Sequence, residues 1–218
     1  MSDPPEEMGA FFDARADDYD DHMRKVLDAP AFYGAIADVI TPTDDPITIL
    51  DLGCGTGLEL AGIFARAPRA RVTGIDLAPR MLDLLRERHA NRLQQLTLLQ
   101  DSYLTRPFPP ESFAYVVSAQ TLHHLLPADK RRLYARILAA LQPRGVYIEG
   151  DYVVAPAEEM RLRTQDETRE GDLRDGRYHL DIPCSVETQC TLLRDAGFAS
   201  VEVTYQAINC AVFVATKT

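Results

Sequence analysis

Short apolar runs alternate along the chain with stretches in which apolar residues recur at helical spacing. The runs predict seven strands, at residues 47–51, 71–76, 96–100, 113–118, 144–150, 201–206 and 209–215. The helical stretches are residues 30–40, 58–67, 79–89, a segment opening at 127, and 185–196. Strands that alternate with helices are typical of an α/β domain built on a parallel sheet. The pattern therefore predicts a doubly wound α/β fold.

Two parts of the pattern depart from this alternation. Only Ala207 and Ile208 separate the last two predicted strands, which favours an antiparallel pair. Residues 157–177 hold seven acids and five arginines, so we expect a charged helical insert after the fifth strand. An exposed helix face and a lid are both compatible with it. We interpret 1–218 as one domain, with an N-terminal helical arm (1–45), a core (46–151), the insert (152–183) and a closing helix with two strands (184–218).

Composition and charge exclude several classes of protein. With 46% hydrophobic and 26% charged residues in 218, the chain has enough apolar material for one buried core. The net charge of −10 disfavours DNA and anionic membranes as partners. No secretion signal or membrane-spanning run is present, so we expect a cytoplasmic protein, either a monomer or a homodimer. The four cysteines form no C-x-x-C pair, and we expect no metal site.

A glycine-rich turn carries the clearest chemical signal. DLGCGTG, from Asp51 to Gly57, follows an apolar strand and opens a helix, so a ligand can lie against bare backbone there. Its Gly-x-Gly-x-Gly spacing differs from the Gly-x-Gly-x-x-Gly of dehydrogenases, and no Gly-Lys-Ser or Gly-Lys-Thr phosphate loop follows. Asp51 would repel a pyrophosphate but suits a cationic group such as an ammonium or a sulfonium.

Polar residues follow three more predicted strands. Asp76 ends the second strand at the distance from the glycines that suits a ribose diol. Asp101 follows the third strand and can accept a hydrogen bond from an exocyclic amine such as that of adenine. Residues 118–125, SAQTLHHL, follow the fourth strand. Ligands of open α/β sheets bind at this carboxyl edge, so the pattern predicts a nucleoside site.

Taken together, these motifs resemble the class I S-adenosylmethionine-dependent methyltransferases over about residues 10–151. The matching stretches are ILDLGCGTG, GIDLAPRML, LLQDSY, FAYVVSAQTLHHL, LQPRGVYIEGD and, in the arm, FFDARADDYDDH. The resemblance implies a Rossmann-like, seven-stranded sheet with an antiparallel last strand, and S-adenosylmethionine as cofactor, with S-adenosylhomocysteine as product. The implied cofactor-binding residues are Tyr19, Asp51, Gly53, Cys54, Gly55, Gly57, Asp76, Leu77, Met81, Asp101, Ser102, Ala119, Gln120 and His124.

The expected reaction is methyl transfer to a small-molecule acceptor by in-line displacement, which depends mainly on orientation and exclusion of water. His124 or His123 is the best-placed base, since the pKa of histidine ordinarily lies near 7. Purely local hydrogen bonding is the alternative for both. Asp151 shares a strand face with Glu149 and points either to the acceptor pocket or to the flank of the sheet. His179 and Asp181 either line the acceptor cavity or belong to a structural turn.

Other functions stay open at this point. An enzyme that carboxylates the cofactor, similar to carboxy-S-adenosylmethionine synthase, would need a buried arginine for the added carboxylate. A non-catalytic domain that binds S-adenosylmethionine is the second alternative, and a dehydrogenase is a poorer third. The chain lacks the Asn-Pro-Pro-Tyr or Asp-Pro-Pro-Tyr motif of amino-methylating nucleic-acid enzymes. Together with the negative charge, this favours a small acceptor.

Overall fold

A seven-stranded sheet organises the chain in the computed structural model, which describes residues 6–166 and 178–218. The strands are β1 (Thr48–Leu52), β2 (Arg71–Asp76), β3 (Leu96–Gln100), β4 (Phe113–Ala119), β5 (Leu141–Tyr152), β6 (Ser200–Gln206) and β7 (Cys210–Thr216). Their order is β3-β2-β1-β4-β5-β7-β6. β7 runs antiparallel to both neighbours, and the other pairings are parallel. The predicted sheet with one antiparallel last strand is confirmed.

Helices cover both faces of this sheet. They are α1 (Met8–Val26), α2 (Ala29–Asp38), α3 (Leu60–Arg66), α4 (Pro79–Arg88), α5 (Pro127–Ala140), α6 (Pro156–Asp166) and α7 (Val186–Asp195). Apolar residues of α2, α3 and α4 pack on one face, and those of α5 and α7 pack on the other. Because strands buried on both faces need apolar side chains throughout, the inner strands are nearly continuous apolar runs. The doubly wound prediction is therefore confirmed.

Several boundaries differ from the sequence prediction by one to three residues, and the starts of β5 and α3 show why. β5 begins at Leu141 rather than at 144, because Leu141 already pairs with Phe113 ahead of a register shift. Pro143 and Gly145 suggest a turn there, but the irregular pairing with β4 accommodates them. α3 begins at Leu60 rather than at 58, because the glycine turn occupies the residues before it.

The arm and the insert meet above the carboxyl end of the sheet. Glu7 forms an isolated bridge with Tyr178, and the His179 N–H donates to the Glu6 carbonyl at 2.8 Å. α6 confirms a charged helix at the start of the insert, while residues 167–177 lie outside the described part of the chain. Within that part, no helix combines the length and apolar character needed to cross a bilayer.

Candidate active site

The glycine turn after β1 has backbone conformations that disfavour residues with side chains. Gly53, Gly55 and Gly57 have φ angles of +67°, +47° and +70°, in the left-handed region that favours glycine. A Cβ on Gly53 would lie 2.4 Å from Thr121 Oγ1. The Gly55 N–H donates to Asp76 Oδ2 at 2.8 Å, which joins the turn to the end of β2. The turn therefore leaves an open cradle of bare backbone beside a carboxylate.

A narrow cleft, which we call the glycine-loop cleft, lies over this turn and has a volume of about 60 Å³. It is lined by Met8, Gly9, Phe12, Tyr19, Gly53, Gly55, Asp76, Leu77, Met81, Ser102, Tyr103, Leu104, Gln120 and Thr121. Eight of the predicted cofactor-binding residues are among them. Phe12, Tyr103 and Thr121 were not predicted, because their roles depend on contacts across the fold. The cleft thus brings together the ends of β1, β2, β3 and β4, as the motif order predicts.

The carboxylates of Asp76 and Asp101 differ in location and in hydrogen-bond partners. Asp76 lies in the cleft wall and accepts backbone hydrogen bonds through both oxygens, including one from Ala78 N at 2.9 Å. Burial raises the pKa of Asp76, and these hydrogen bonds oppose the rise. Asp101 is outside the cleft lining, and its Oδ2 lies 2.7 Å from Arg106 Nη1. The Arg106 and Ser102 hydrogen bonds lower the pKa of Asp101. Its predicted contact with adenine stays a prediction.

Asp51 and Glu59 form a buried carboxyl pair on either side of the glycine turn. Asp51 is 1% exposed and Glu59 is 4% exposed. Both oxygens of Asp51 and Oε1 of Glu59 have no hydrogen-bond partner among the described residues. Burial and the neighbouring Glu59 carboxylate raise the pKa of Asp51 well above its usual range. A buried acid pair without a counterion favours a nearby cationic ligand group, as the sequence predicted for Asp51.

The other predicted cofactor-binding residues support the turn from behind or beside it. Cys54 is buried, and its Sγ would lie 2.8 Å from a Cβ placed on Gly74, so a small residue fits there. Gly57 accepts a hydrogen bond through its carbonyl from His89 Nε2 at 3.0 Å. Ala119 ends β4 and is partly buried. These residues, with Asp51, do not line the cleft and shape it indirectly.

A second and larger cavity of about 590 Å³ adjoins the cleft, and we call it the histidine cavity. Its lining residues are Phe11, Phe12, Arg15, Asp18, Tyr19, His22, Met23, Val26, Leu27, Gln120, His123, His124, Tyr152, His179, Asp181, Asn209 and Cys210. Phe12, Tyr19 and Gln120 line both spaces and therefore separate them. The size and mainly apolar walls suit a small organic molecule.

Gln120 lies at this junction in an unusual conformation. Its φ is +54°, in the left-handed region that non-glycine residues rarely adopt. The Gln120 N–H donates to the Gly150 carbonyl at 2.8 Å, which fixes the backbone between β4 and β5. Its side-chain Nε2 is buried without a partner among the described residues. Such strain with an unpaired donor is typical of functional sites.

His123 and Asp151 form a buried dyad on the wall of the histidine cavity. His123 Nδ1 lies 2.6 Å from Asp151 Oδ1, and the carboxylate accepts this hydrogen bond. Burial alone would raise the pKa of Asp151, but His123 and Lys130 outweigh it and lower that pKa. Asp151 therefore stays ionised and holds the proton of His123 on Nδ1. The Nε2 lone pair is left available, which is the arrangement of a general base.

His124 has a different environment. It is 6% exposed, and its Nδ1 lies 3.0 Å from the Leu180 carbonyl and 3.2 Å from Asp181 Oδ1. Burial and the adjacent His123 lower the pKa of His124 to about 4, against the opposing effect of Asp181. The pKa near 7 assumed for His124 from the sequence is therefore not what the structure shows. At neutral pH His124 is uncharged and a weaker base than an ordinary histidine.

The segment after the insert supplies His179 and Asp181, which both line the histidine cavity. The His179 ring stacks on Phe11 with centroids 3.4 Å apart. Asp181 lies within 4 Å of ring nitrogens of His123, His124 and His179. Its hydrogen bond to His124 lowers the pKa of Asp181 to about 2. His179 and Asp181 thus line a cavity, and their role toward an acceptor stays a prediction.

Glu149 points away from the cavity, although it lies on the same face of β5 as Asp151. Its Oε2 accepts hydrogen bonds from Tyr134 at 2.8 Å and from Tyr147 at 3.0 Å. Lys130, 1% exposed, donates to Gln189 at 2.9 Å in the same buried network. The network keeps Glu149 in the core between α5 and α7.

Comparison with known proteins agrees with this geometry. A family model described as a methyltransferase domain matches residues 49–145, which hold the glycine turn and the ends of β1 to β4. Over this stretch the chain is similar to methyltransferase domains, which supports the resemblance of its motifs to the class I S-adenosylmethionine-dependent methyltransferases. S-adenosylmethionine is the cofactor of this family, as the resemblance of the motifs implied.

The relatives of this chain differ in what they act on. It is 25% identical over 185 residues to a carboxy-S-adenosyl-L-methionine synthase of Chromohalobacter salexigens, covering 78% of this chain and 68% of that protein. It is 34% identical over 105 residues to a trans-aconitate 2-methyltransferase of Azoarcus, covering 48% and 39%. These relatives leave the acceptor undetermined.

Solved structures of methyltransferases share the fold of this chain. A putative O-methyltransferase of Nostoc punctiforme superimposes with a TM-score of 0.71 at 18% identity, covering 100% of this chain and 63% of that one. Phosphoethanolamine N-methyltransferase 2 of Haemonchus contortus gives 0.65 at 20% identity, covering 85% and 52%. The chain thus spans about half to two thirds of the length of these structures.

Proposed function

We propose that this methyltransferase transfers a methyl group to a small-molecule acceptor held in the histidine cavity, and that the His123–Asp151 dyad takes a proton from that acceptor. The observation that carries the proposal is the junction of two cavities at Phe12, Tyr19 and Gln120. One cavity has the glycine cradle and Asp76, and the other has the dyad. A methyl donor and an acceptor in these two spaces would meet at the junction.

The residues of the glycine-loop cleft fit the proposed cofactor. The bare backbone of Gly53 and Gly55 admits a chain lying close to it, and Asp76 keeps free lone pairs for a ribose diol. The buried Asp51 carboxyl lies behind the glycine turn, so it favours the positive charge of the methionine end through the turn rather than by direct contact. When bound, S-adenosylmethionine supplies a methyl group activated by a sulfonium. We assign Leu77 and Met81 to the ribose side, and Ser102 to adenine, as the motif resemblance implies.

The dyad prepares the acceptor. An ammonium has no free lone pair and a neutral hydroxyl is a weak nucleophile, so either acceptor must lose a proton for in-line displacement. His123 Nε2 is placed to accept that proton, and ionised Asp151 stabilises the charged imidazole that results. His124, Asp181 and the Phe11–His179 stack complete the wall and exclude water from the junction.

Binding and turnover test this proposal separately. Isothermal titration with S-adenosylhomocysteine tests the cofactor site, and absence of binding at millimolar ligand would refute the proposal. Labelled S-adenosylmethionine with a panel of phenols, carboxylic acids and amines tests transfer. We expect His123→Gln to lower kcat by about 10²- to 10⁴-fold with affinity for S-adenosylhomocysteine within a few fold. His124→Gln is the matched control and should lower kcat less. The reverse order of the two variants would contradict the dyad.

Two alternatives are outcomes of the same experiments. Among the described residues, the arginine that lines the histidine cavity is Arg15, which is half exposed and already contacts Glu6 and the Phe11 ring. The buried arginine that a cofactor-carboxylating enzyme would need is therefore not found in that part of the chain. Mass spectrometry of ligand retained through purification would reveal a carboxylated cofactor. Tight cofactor binding with no turnover across the panel would instead favour a non-catalytic domain.

A further inference from the structure

Histidines are concentrated in one place in this protein. Four of its five histidines, His22, His123, His124 and His179, line the histidine cavity. Three of them have a ring nitrogen close to the same oxygen, Asp181 Oδ1, at 3.2 Å for His124, 3.7 Å for His123 and 3.8 Å for His179. Imidazole nitrogens and carboxylate oxygens are the ligands by which proteins bind zinc and similar divalent ions.

The spacing of His123, His124 and Asp181 suits a shared ion. One ligand atom from each of the three lies within 4.8 Å of the others. Ligands at about 2.1 Å from a tetrahedral zinc ion are roughly 3.4 Å apart, so distances of 3.2 and 3.7 Å to Asp181 need only small rotations. The Asp181 side chain is 54% exposed, so an ion can reach the cluster from the cavity.

The hydrogen bonds around the cluster prepare His123 as a ligand. Asp151 accepts a hydrogen bond from Nδ1–H of His123, which leaves Nε2 free. In many metal-binding histidines the nitrogen that does not bind the metal donates to a carboxylate in this way. His124 is less prepared, because its Nδ1 donates to the Leu180 carbonyl. Binding an ion there moves the proton to His124 Nε2, which has no partner among the described residues.

We propose that His123, His124 and Asp181 bind a divalent transition-metal ion of the zinc class, with Asp151 as the outer partner of His123. The open side of the cluster faces the histidine cavity, where water completes the coordination. A bound ion takes the lone pair of His123, so ion binding and proton abstraction exclude each other. Zinc therefore inhibits methyl transfer, and this last consequence alone rests on the proposed function.

Cobalt titration of untagged, chelator-treated protein tests the site without cofactor or acceptor. We expect one Co²⁺ per chain, with the intense visible absorption of a low-coordinate site that Zn²⁺ abolishes. His123→Ala and Asp181→Asn should each weaken Co²⁺ binding at least 10-fold, and Asp151→Asn should weaken it about 10- to 100-fold. His22→Ala, in the opposite wall, and the exposed Asp195→Asn are matched controls that should retain wild-type affinity. Melting curves check that every variant is folded.

The spectrum of the hydrated ion, or equal affinity in the wild type, His123→Ala and Asp181→Asn, would overturn the metal site. Asp181 is largely exposed, so its variant keeps the test decisive even where His123→Ala fails to fold. With an acceptor that is turned over, saturating Zn²⁺ should abolish transfer. Unchanged turnover at saturating Zn²⁺ would overturn the inhibition, while the titration would still report on the site if the proposed function failed.

Discussion

At the scale of single residues, two adjacent histidines show how environment separates chemical roles. His123 and His124 are both buried, yet His123 pairs with the buried Asp151 carboxylate, whereas His124 contacts the Leu180 carbonyl and the half-exposed Asp181 carboxylate. The pKa of His124 falls to about 4, mainly because burial disfavours its charged form. Sequence adjacency could not distinguish the two, and the distinction moves the proposed base from His124 to His123.

Asp76→Asn tests the ribose role at this scale. The variant removes the charge while keeping one acceptor oxygen, so we expect binding of S-adenosylhomocysteine to weaken by roughly 1–3 kcal/mol. Isothermal titration measures the change, and the melting temperature shows whether the Gly55 hydrogen bond has been lost with it. Asp101→Asn is the comparison, because its carboxylate already pairs with Arg106. Unaltered affinity in Asp76→Asn would refute the ribose role.

Glu149 gives a pH dependence of stability with a definite sign. Burial raises the pKa of Glu149 from 4.5 to about 7, although Lys130 and two tyrosine hydrogen bonds oppose the rise. Between these values the folded protein holds a proton that the unfolded chain has released, so this group makes the free energy of unfolding fall as pH rises. Above about 7 the effect is constant.

Glu149→Gln removes this titration. The melting temperature of the variant relative to wild type should therefore increase between pH about 5 and about 7 and then level off. Glu158→Gln is the matched control, since Glu158 is exposed and Arg161 lowers its pKa, so it has no titration in that range. A difference independent of pH would show that Glu149 is ionised throughout.

At the scale of elements, α1 decides access to the glycine-loop cleft. The cleft beneath it holds about 60 Å³, whereas ligand pockets commonly need several hundred, so α1 must shift to admit a nucleoside. Polar contacts with the core hold α1: Asp13 accepts from Arg80 N, Asp17 pairs with Arg80, and Asp20 binds Thr56 and Arg88. Because such contacts are individually weak, the helix can open while the core stays folded.

Hydrogen exchange followed by mass spectrometry tests the opening of α1. We expect S-adenosylhomocysteine to slow exchange in α1, because Phe12 and Tyr19 line the cleft. Asp20→Asn should speed exchange there in the free protein, since it weakens the bonds to Thr56 and Arg88. Asp21→Asn is the neighbouring control, because Asp21 pairs only within the helix, with Arg24. Equal exchange in both variants would mean that Asp20 does not hold α1 closed.

At the scale of the whole molecule, charge and topology set what reaches the site. The net charge is −10, and residues 1–21 alone hold eight acids against Arg15. One acid of α1, Asp18, lines the histidine cavity. Polyanions are repelled from such a surface, while small neutral or cationic molecules are not. A cytoplasmic location and a monomeric or homodimeric state stay predictions.

Fluorescence anisotropy with a labelled DNA duplex tests the charge argument. We expect no binding at physiological salt up to about 100 µM protein, the range in which non-specific DNA binders already associate. A basic protein of similar size serves as the positive control. Salt-sensitive binding by this chain would reveal a basic groove that net charge conceals, and it would reopen a nucleic-acid acceptor.

Much of the fold could be predicted from the sequence. The strands from β1 to β4 and the glycine turn follow from local apolar runs and glycine spacing, and the structure confirms them. The starts of β5 and α3 could not be placed to the residue, because pairing with β4 and the turn at Gly57 decide them. The sequence gives no local signal for Thr121 or Glu59. The approach of Thr121 to Gly53 and the pairing of Glu59 with Asp51 arise only when the chain is folded.

The sequence by itself determined the layer architecture and the nucleoside-binding edge, because both depend on periodicity and on residue types that act over a few positions. Only the tertiary structure decided which histidine pairs with the buried Asp151, that Glu149 turns into the core, and that the arm and the segment after the insert line one cavity. These outcomes depend on burial and on contacts between residues far apart in the chain, such as His123 with Asp151 and Phe11 with His179.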